Sequence, residues 1–334
     1  MTEAVRVTLI GCGRMGAFHG ATLSRLPGAR LVAVADPAPG AAARLAGELG
    51  AARAYTDVGG AFADPEVDAV VIAAPARRHA DLVVTAAAAG KGVFCEKPMA
   101  VTLADADRAI DAARSAGVAL QVGFNRRFAT DWLAARELID SGRLGALRLM
   151  RSLTRDPAGF EPARVLPDTI FLETLIHDFD TLRFLNPGAT AVEVHTVADA
   201  LVEPSWRDRG LLDTAVVTVR FDNGVVATAE ACFATAYGYD VRGEVFGSHG
   251  MVTLGDGRRG TWTFSGATGR TAETVRGDQE LFGYAYAAEL AAFVEAVRAG
   301  TPALVTGEDA RAALAIALAA AESARTGRPA EVAK

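Results

Sequence analysis

Two kinds of segment alternate along the first 122 residues, and this alternation constrains the fold more than any other feature of the sequence. Short apolar runs, each ending at a glycine, a proline or an acidic residue, occupy residues 5–10, 31–35, 69–74, 93–95 and 118–122. Alanine-rich stretches of helical character lie between them, at residues 17–26, 38–49, 78–89 and 103–116. Strands that alternate with helices form right-handed βαβ units. The alternation therefore predicts an α/β domain over residues 1–122, built on a doubly wound parallel sheet.

The pattern changes after Gly123. Helical periodicity covers residues 131–140 and 171–184, and strand-like runs occupy residues 147–154, 191–197, 214–221, 225–232, 240–246 and 251–254. Asp222-Asn223-Gly224 is a hairpin turn signal between two of these runs. Two helices close the chain, at residues 285–299 and 308–326. We predict a second, α+β domain over residues 123–334 with a mostly antiparallel open sheet, its closing helices able to pack back on the first domain.

Composition excludes several classes of protein. The chain has 334 residues, 51% of them hydrophobic, and a formal net charge of −6, so a nucleic-acid binder with a basic face is not expected. We find no apolar run long enough to span a membrane and no secretory signal. Three cysteines cannot form a disulfide framework and lack paired metal-ligand spacing. A reduced, cytoplasmic protein without a metal is expected.

A glycine-rich turn follows the first apolar run and opens the first helical stretch. Residues 11–16 read Gly-Cys-Gly-Arg-Met-Gly and fit the pattern G-x-G-x-x-G. The glycines permit a tight turn and a close approach of the backbone to a pyrophosphate, which the N–H groups at the helix N-terminus can bind. We therefore predict that a dinucleotide is bound by Gly11, Gly13, Arg14, Met15 and Gly16.

Asp36 ends the second apolar run, in the position where a carboxylate can bond both ribose hydroxyls of an adenosine. Because Pro37 follows it, Asp36 could instead cap the next helix, with the proline at the first helical position. A carboxylate repels a 2′-phosphate, and no basic residue follows until Arg44. The sequence therefore favours NAD over NADP as the cofactor.

Lysine is scarce in this chain, which draws attention to Lys97. Lysine occurs at positions 91, 97 and 334, and the other 31 of the 34 basic residues are arginine. Lys97 comes just after the fourth apolar run, and ligands of an open parallel sheet bind beyond the carboxyl ends of its strands. A surface lysine in a turn is the simpler alternative. The position favours a functional lysine with a compact, adjustable positive charge.

A second group of ionisable residues lies within the helical stretch 171–184. Glu173 and His177 are four positions apart and share one face of a helix, and Asp180 follows three positions later. Histidine titrates near neutral pH and can accept the proton of an alcohol, and Asp180 could orient its ring. A helical ion pair or a satisfied core histidine explains the same spacing. Elsewhere, His19 is expected to pack or cap rather than to catalyse.

Taken in order, these motifs resemble the Gfo/Idh/MocA oxidoreductases over nearly the whole chain. The matching motifs are residues 11–16, Ala74-Pro75 with His79, residues 89–91 leading into Cys95-Glu96-Lys97-Pro98, and Glu173, His177 and Asp180 at their spacing. Within the family the sequence is most similar to the inositol 2-dehydrogenases, through residues 122–128, 154–157, 176–180 and 237–242.

The resemblance implies a Rossmann domain and an NAD-dependent dehydrogenase that oxidises a secondary hydroxyl of a cyclic polyol or sugar. Lys97 would hydrogen-bond the reacting oxygen, His177 would take the hydroxyl proton, and Glu173 would bind the neighbouring hydroxyl. It also implies further polyol contacts from Arg127, Asp156 and Tyr237, and a nicotinamide site lined by Ala74, Pro75, His79 and Glu96.

The chain departs from the inositol enzymes at one point. They generally carry aspartate where this chain has Glu173, and a Gly-Gly pair where it has Thr169-Ile170. Since these differences move the carboxylate and alter the approach to it, the exact polyol or sugar stays open. Other open classes are a different sugar dehydrogenase, an NAD-dependent glycosidase or lyase that uses transient oxidation, and a sensor that binds NAD without turnover.

The strands of the second domain carry apolar residues at both alternations, as in residues 216–219 and 225–227. One face of the sheet can pack on the domain's own helices, and the other would be an exposed apolar patch in a monomer. Pairing of subunits through this face, as in the resembled family, predicts a homo-oligomer, either a dimer or a tetramer.

Overall fold

A parallel sheet of six strands organises the N-terminal part of the chain in the computed structural model, which describes residues 3–157, 165–258 and 263–334. The strands are β1 (Val5–Ile10), β2 (Ala29–Ala35), β3 (Arg53–Tyr55), β4 (Ala69–Ile72), β5 (Gly92–Glu96) and β6 (Leu120–Gly123). The helices between them are α1 (Arg14–Leu23), α2 (Ala41–Leu49), α3 (Val58–Ala63), α4 (His79–Ala88) and α5 (Leu103–Ala116). The strand order β3-β2-β1-β4-β5-β6 confirms the predicted doubly wound sheet.

A second sheet organises the C-terminal part. Its strands are β7 (Leu147–Arg155), β8 (Ala191–Asp199), β9 (Thr214–Phe221), β10 (Val226–Cys232), β11 (Asp240–Gly247), β12 (Met251–Leu254) and β15 (Ala330–Glu331), and β13 (Phe264–Gly266) and β14 (Gly269–Thr271) form a separate hairpin. The order is β12-β11-β7-β10-β9-β8-β15, and β7 and β10 are its parallel pair. The predicted α+β domain with a mostly antiparallel sheet is confirmed.

Four helices and several short turns complete the described chain. The helices are α6 (Thr130–Asp140), α7 (Ile176–Phe184), α8 (Asp278–Ala299) and α9 (Gly307–Thr326). A π-helical turn, Ile170–Leu175, leads directly into α7. Helix α8 begins earlier than the predicted 285, and β3 and α3 were not predicted. None of the described helices is long and apolar enough to cross a membrane.

The chain forms two compact units. The N-terminal unit comprises Met1–Asn125 and Tyr286–Arg311, and the C-terminal unit comprises Arg126–Ala285 and Ala312–Lys334. Helices α8 and α9 therefore contribute residues to both units.

The core of the N-terminal unit explains why its strands read as continuous apolar runs. A strand in a parallel sheet with helices on both faces is buried on both sides, so both alternations are apolar. Leu9, Val34, Val71 and Phe94 are fully buried in one cluster, and Phe293 of α8 packs into it. These contacts fix the sheet whose carboxyl edge carries the candidate cofactor site.

Candidate active site

The glycine-rich turn is shaped by contacts that exclude side chains. Gly11 has a φ of +102°, and a Cβ there would lie 2.5 Å from the carbonyl oxygen of Ala73. A Cβ at Gly16 would lie 2.0 Å from the carbonyl oxygen of Gly11. A side chain at either position would therefore force the turn apart, which accounts for two glycines of the motif.

The third glycine faces open space. A Cβ at Gly13 would meet no atom of the described residues within 4 Å. Gly13 is also the N-cap of α1, where no described side chain caps the helix, and Arg14 and Met15 form its first turn. The backbone N–H groups and the positive end of the helix dipole thus lie beside an accessible surface, as a pyrophosphate requires.

Asp36 stands next to this turn, immediately after β2. Its Oδ2 accepts the main-chain N–H of Cys12 at 2.7 Å, and its Oδ1 accepts the N–H of Ala38 at 2.8 Å. Helix α2 begins at Ala41 after Gly40, so Asp36 is not the N-cap of that helix and Pro37 is not its first residue. The capping interpretation is wrong for α2, and the carboxylate lies where an adenosine ribose is bound in this fold.

Cys12, within the turn, is a packing residue rather than a reactive thiol. Burial, and then the negative charge of Asp36, raise the pKa of the Cys12 thiol to about 11. Since the thiolate is the reactive form, the thiol stays protonated and inert near neutral pH.

The glycine geometry, the open helix terminus and the Asp36 carboxylate together fit a dinucleotide.

His79 braces two loops at the same edge of the sheet. Its Nε2 lies 2.7 Å from the carbonyl oxygen of Ala74, after β4, and its Nδ1 lies 2.8 Å from that of Pro98, after β5. The ring is buried. Ala74 in turn adjoins the glycine-rich turn, because the N–H of Ala73 donates to the carbonyl oxygen of Ile10. The structure thus brings Ala74, Pro75 and His79 to the carboxyl edge of the sheet, beside the turn.

Lys97 follows β5 at this edge and is half-buried. Glu96, the last residue of the strand, is buried, and its Oε2 accepts the main-chain N–H of Lys97 at 3.1 Å. Its Oε1 lies 2.6 Å from Nε2 of His19, a fully buried ring on α1. The sequence did not predict this contact for His19. A buried carboxylate therefore holds the backbone from which the Lys97 side chain projects.

In the C-terminal unit, the segment that carries Glu173 and His177 is not the uniform α-helix that the periodicity predicted. Glu173 lies in the π-helical turn, and His177 is the second residue of α7; both are half-buried. A π turn has more residues per turn than an α-helix, so residues four apart still lie on nearly the same side. Such turns occur often at functional sites.

A buried ionic network lies beside His177, and the sequence did not predict it. Asp178 is fully buried and accepts hydrogen bonds from Arg126 Nη1 at 2.9 Å, Ser152 Oγ at 2.6 Å and Thr154 Oγ1 at 2.7 Å. Although burial opposes it, the charge of Asp178 and the hydrogen bonds of Arg126 to Asp178 and Tyr239 raise the pKa of Arg126. The network ties α7 to β7 and fixes the helix from which His177 projects.

Arg127 and Asp180 form a second pair. The Nε and Nη2 atoms of Arg127 donate to the two oxygens of Asp180 at 2.8 and 2.6 Å, and the guanidinium lies over the Phe184 ring, 5.4 Å from its centroid. Asp180 is buried and also lies 3.9 Å from Arg183. The Asp180 carboxylate thus holds the guanidinium group of Arg127 in a fixed orientation.

Asp156 and Tyr237 lie at one end of the second sheet. Arg155, the last residue of β7, pairs with Cys232 of β10 and with Asp240 of β11, and Asp156 follows it. Tyr237, in the β10–β11 loop, is half-exposed, and its hydroxyl donates to Oδ2 of Asp240 at 2.7 Å. The register of the strands therefore brings together two residues that are 81 positions apart in the sequence.

Comparisons with known proteins agree with this geometry. Residues 5–124 match the Gfo/Idh/MocA model described as an oxidoreductase family with an NAD-binding Rossmann fold, and residues 136–332 match the C-terminal α/β domain of the same family. The chain is 36% identical to a scyllo-inositol 2-dehydrogenase (NAD(+)) of Bacillus subtilis, over 99% of this chain and 97% of that protein. It is also 36% identical to a myo-inositol 2-dehydrogenase of Thermotoga maritima, over 96% of each chain.

A solved structure extends the likeness to three dimensions. The scyllo-inositol dehydrogenase of Lactobacillus casei, solved with bound NAD(H) and scyllo-inositol, matches with a TM-score of 0.95 at 26% identity. The match covers 99% of this chain and all of that one. The fold and the cofactor edge define an NAD-dependent oxidoreductase with a Rossmann domain. The chain belongs to the Gfo/Idh/MocA family.

Proposed function

We propose that this enzyme oxidises a secondary hydroxyl of an inositol-like cyclic polyol to a ketone, with NAD as the oxidant. The observation that carries the proposal is the position of Lys97, half-buried at the carboxyl end of β5 and held through the buried Glu96. A positive charge there can meet the oxygen of a bound alcohol. The names of the relatives, inositol 2-dehydrogenases with full-length similarity, support the polyol class.

In the proposed mechanism, Lys97 stabilises charge and His177 accepts a proton. Bound NAD supplies the hydride acceptor at C4 of its nicotinamide. Lys97 hydrogen-bonds the reacting oxygen and stabilises the developing alkoxide, and His177 accepts the hydroxyl proton. Glu173 accepts a hydrogen bond from the neighbouring hydroxyl. One proton thus passes to His177 as one hydride leaves the carbon, and the product is a ketone.

We assign the cofactor contacts to the turn residues Gly11, Gly13, Arg14, Met15 and Gly16. Asp36 would hold the adenosine ribose; Ala74, Pro75, His79, Glu96 and Lys97 would line the nicotinamide half. His79 is proposed to hold the nicotinamide site in shape, because its contacts with the carbonyl oxygens of Ala74 and Pro98 fix the loops after β4 and β5.

Three further side chains are proposed to contact the polyol. Arg127 is oriented by its two hydrogen bonds to Asp180, and the Tyr237 hydroxyl by Asp240. Asp156, in the loop after β7, adds a carboxylate at the same end of the sheet as Tyr237. Donors and acceptors that are fixed in advance discriminate among polyols that differ only in the orientation of one hydroxyl.

The oligomeric state is proposed from the open face of the second sheet. Met251, Phe246, Leu149 and Val226 face one another in register across β12, β11, β7 and β10, and each is 37–55% exposed. A continuous apolar row across four strands is the kind of surface that a second subunit covers. We propose a cytoplasmic homodimer or homotetramer. Light scattering at micromolar concentration should give a multiple of the chain mass, and Leu149→Asp should lower it; a monomeric mass for the unaltered protein would exclude the proposal.

The catalytic assignment is tested by replacing the two central residues. Lys97→Arg keeps a positive charge but replaces a compact donor by a bulky fork, and His177→Ala removes the base. Both should lower kcat with little change in the KM for NAD, and His177→Ala by roughly 10²–10⁴-fold. Matched controls are Lys334→Arg and His249→Ala, at positions outside the proposed site.

The outcomes separate the remaining classes. Near-normal kcat in both variants would refute the mechanism. If the unaltered protein binds NAD but cleaves or eliminates a glycosidic substrate without net NADH, the transient-oxidation class replaces the dehydrogenase.

A further inference from the structure

A carboxyl group that the mechanism does not use is buried in the N-terminal unit. Glu289 of α8 is 0% exposed, and the structure shows no hydrogen-bond partner among the described residues for either carboxyl oxygen. It faces His19 of α1 and Glu96 of β5, and one ligand atom from each of the three lies within 4.8 Å of the others. An unpartnered buried carboxylate is costly, so the group is expected to be neutral or to be paired with something else.

The geometry of His19 and Glu96 favours a direct hydrogen bond between them over a shared metal ion. His19 Nε2 and Glu96 Oε1 are 2.6 Å apart, which is the distance of a short hydrogen bond. Two ligands of one tetrahedral ion, with bonds of about 2.0–2.1 Å, would lie about 3.3 Å apart. The imidazole and the carboxylate therefore contact each other rather than a shared cation.

The two carboxyls of this cluster differ in protonation. Although burial opposes it, the hydrogen bond and charge of His19, with the charge of Lys97, lower the pKa of Glu96. Burial, and then the charge of Glu96, raise the pKa of Glu289 well above its ordinary value. Two carboxyl groups this close in a buried site do not ionise together.

Glu96 has little room to move. Its Oε1 contacts His19, its Oε2 accepts the N–H of Lys97, and a Cβ on Gly123 of β6 would lie 3.2 Å from the same Oε2. A side chain at position 123 would therefore press on the Glu96 carboxylate. A displacement of Glu96 would be transmitted directly to the backbone at Lys97.

We propose that Glu289 is a positioning residue for Lys97. The neutral carboxyl of Glu289 allows the ionised Glu96 to keep its hydrogen bonds to His19 and to the main-chain N–H of Lys97. The proposal rests on the role of Lys97 in the proposed function. If Glu289 loses its proton, a second negative charge appears beside Glu96, and Glu96 and the Lys97 backbone shift. The consequence is a reversible fall in kcat as the pH rises, with the KM for NAD little changed.

The titratable groups around Glu289 are few. His19 and Glu96 face it from α1 and β5, and on its own helix Tyr286 lies edge-on to the His19 ring. Behind Glu96, the charges that act on it come from Lys97 and His79. On β6, Gln121 donates Nε2 to the main-chain oxygen of Glu289 and brings no charge.

Glu289→Gln tests the proposal, because glutamine has nearly the same shape and cannot ionise. We expect the ratio of kcat at alkaline pH to kcat at neutral pH to be higher in this variant than in the unaltered enzyme. Glu295→Gln is the matched control on the same helix, since Glu295 is 58% exposed, and it should leave the pH profile unchanged. An identical alkaline decline in Glu289→Gln and the unaltered enzyme would overturn the proposal.

Two measurements remain informative even if the variant folds poorly or the chain proves inactive on polyols. Infrared spectroscopy of the unaltered protein at neutral pH should show the C=O stretch of a buried protonated carboxylic acid, which disappears reversibly at alkaline pH. Its absence would overturn the proposal independently of any activity. Metal analysis of the purified, unaltered protein should find no stoichiometric ion; one bound equivalent would favour a metal site and overturn the proposal.

Discussion

Replacing Asp178 by asparagine is expected to destabilise the C-terminal unit severely, although the two side chains have nearly the same shape. Asp178 is fully buried and accepts hydrogen bonds from Arg126, Ser152 and Thr154. Asparagine keeps one acceptor oxygen but loses the negative charge and turns an NH₂ group towards other donors. Arg126 cannot release its proton, so the variant leaves a buried guanidinium without a counter-charge.

The magnitude follows from this burial. Removing one partner of a buried ion pair costs about 3–5 kcal/mol, and the retained oxygen of asparagine favours the lower end of that range. A loss of about 3 kcal/mol is a large part of the 5–15 kcal/mol that typically stabilises a domain. The pair between Asp199 and Arg207 has two hydrogen bonds, at 2.8 and 2.9 Å, where Arg126 makes one to Asp178, but it is about half exposed. Asp199→Asn is therefore expected to cost no more than about 1 kcal/mol.

Chemical denaturation of both variants, followed by circular dichroism, measures the two losses of unfolding free energy. Adding Arg126→Met to Asp178→Asn should restore part of the lost stability, because it removes the unpaired charge. The reasoning is refuted if Asp178→Asn costs no more than Asp199→Asn, or if the second substitution adds its full cost.

Three further outcomes are expected. Asp36→Ala should lower the ratio of kcat/KM for NAD to that for NADP by at least about tenfold, which corresponds to about 1.4 kcal/mol. An unchanged ratio would contradict the proposal that Asp36 binds the adenosine ribose. Glu173→Asp should shift relative kcat/KM among cyclic polyols while kcat on the best substrate stays within the same order; equal effects on every polyol would contradict a specificity role. Because folding raises the pKa of Glu289, the free energy of unfolding should fall as the pH rises above the acid range. In urea titrations, Glu289→Gln should reduce this slope by up to about 1.4 kcal/mol per pH unit. Equal slopes in the variant and the unaltered protein would refute the raised pKa.

Local patterns were enough to predict five of the six strands of the parallel sheet and its cofactor edge. Strands buried on both faces are predominantly apolar, so residues 5–10 and 31–35 could be recognised without knowledge of their neighbours. Gly11 and Gly16 of the first turn are required by contacts within a few residues of β1 and β4, and Asp36 follows β2 directly. These features depend on short stretches of chain.

Features that depend on distant contacts were not predicted. The three-residue β3 has too few residues for a periodicity, and its place in the sheet comes from pairing with β2. The Arg126–Asp178 pair joins residues 52 positions apart, and nothing local marks either as buried. Glu289 carried a weak signal: it lies four residues before Phe293, so it is a charge on the apolar face of α8. In a π turn, as in an α-helix, residues four apart lie on nearly the same side, so the spacing of Glu173 and His177 could not distinguish the two.

The most direct measurement is the formation of NADH when the purified protein is incubated with NAD and a panel of inositol isomers, other cyclic polyols and aldose sugars. The near-ultraviolet absorbance of NADH reports the reaction, and the ketone formed should match the NADH in equal amounts. We expect the unaltered enzyme to reduce NAD with at least one cyclic polyol, and Lys97→Arg to lose most of that rate. Binding of NAD without NADH formation on any member of the panel would contradict the proposed dehydrogenase function.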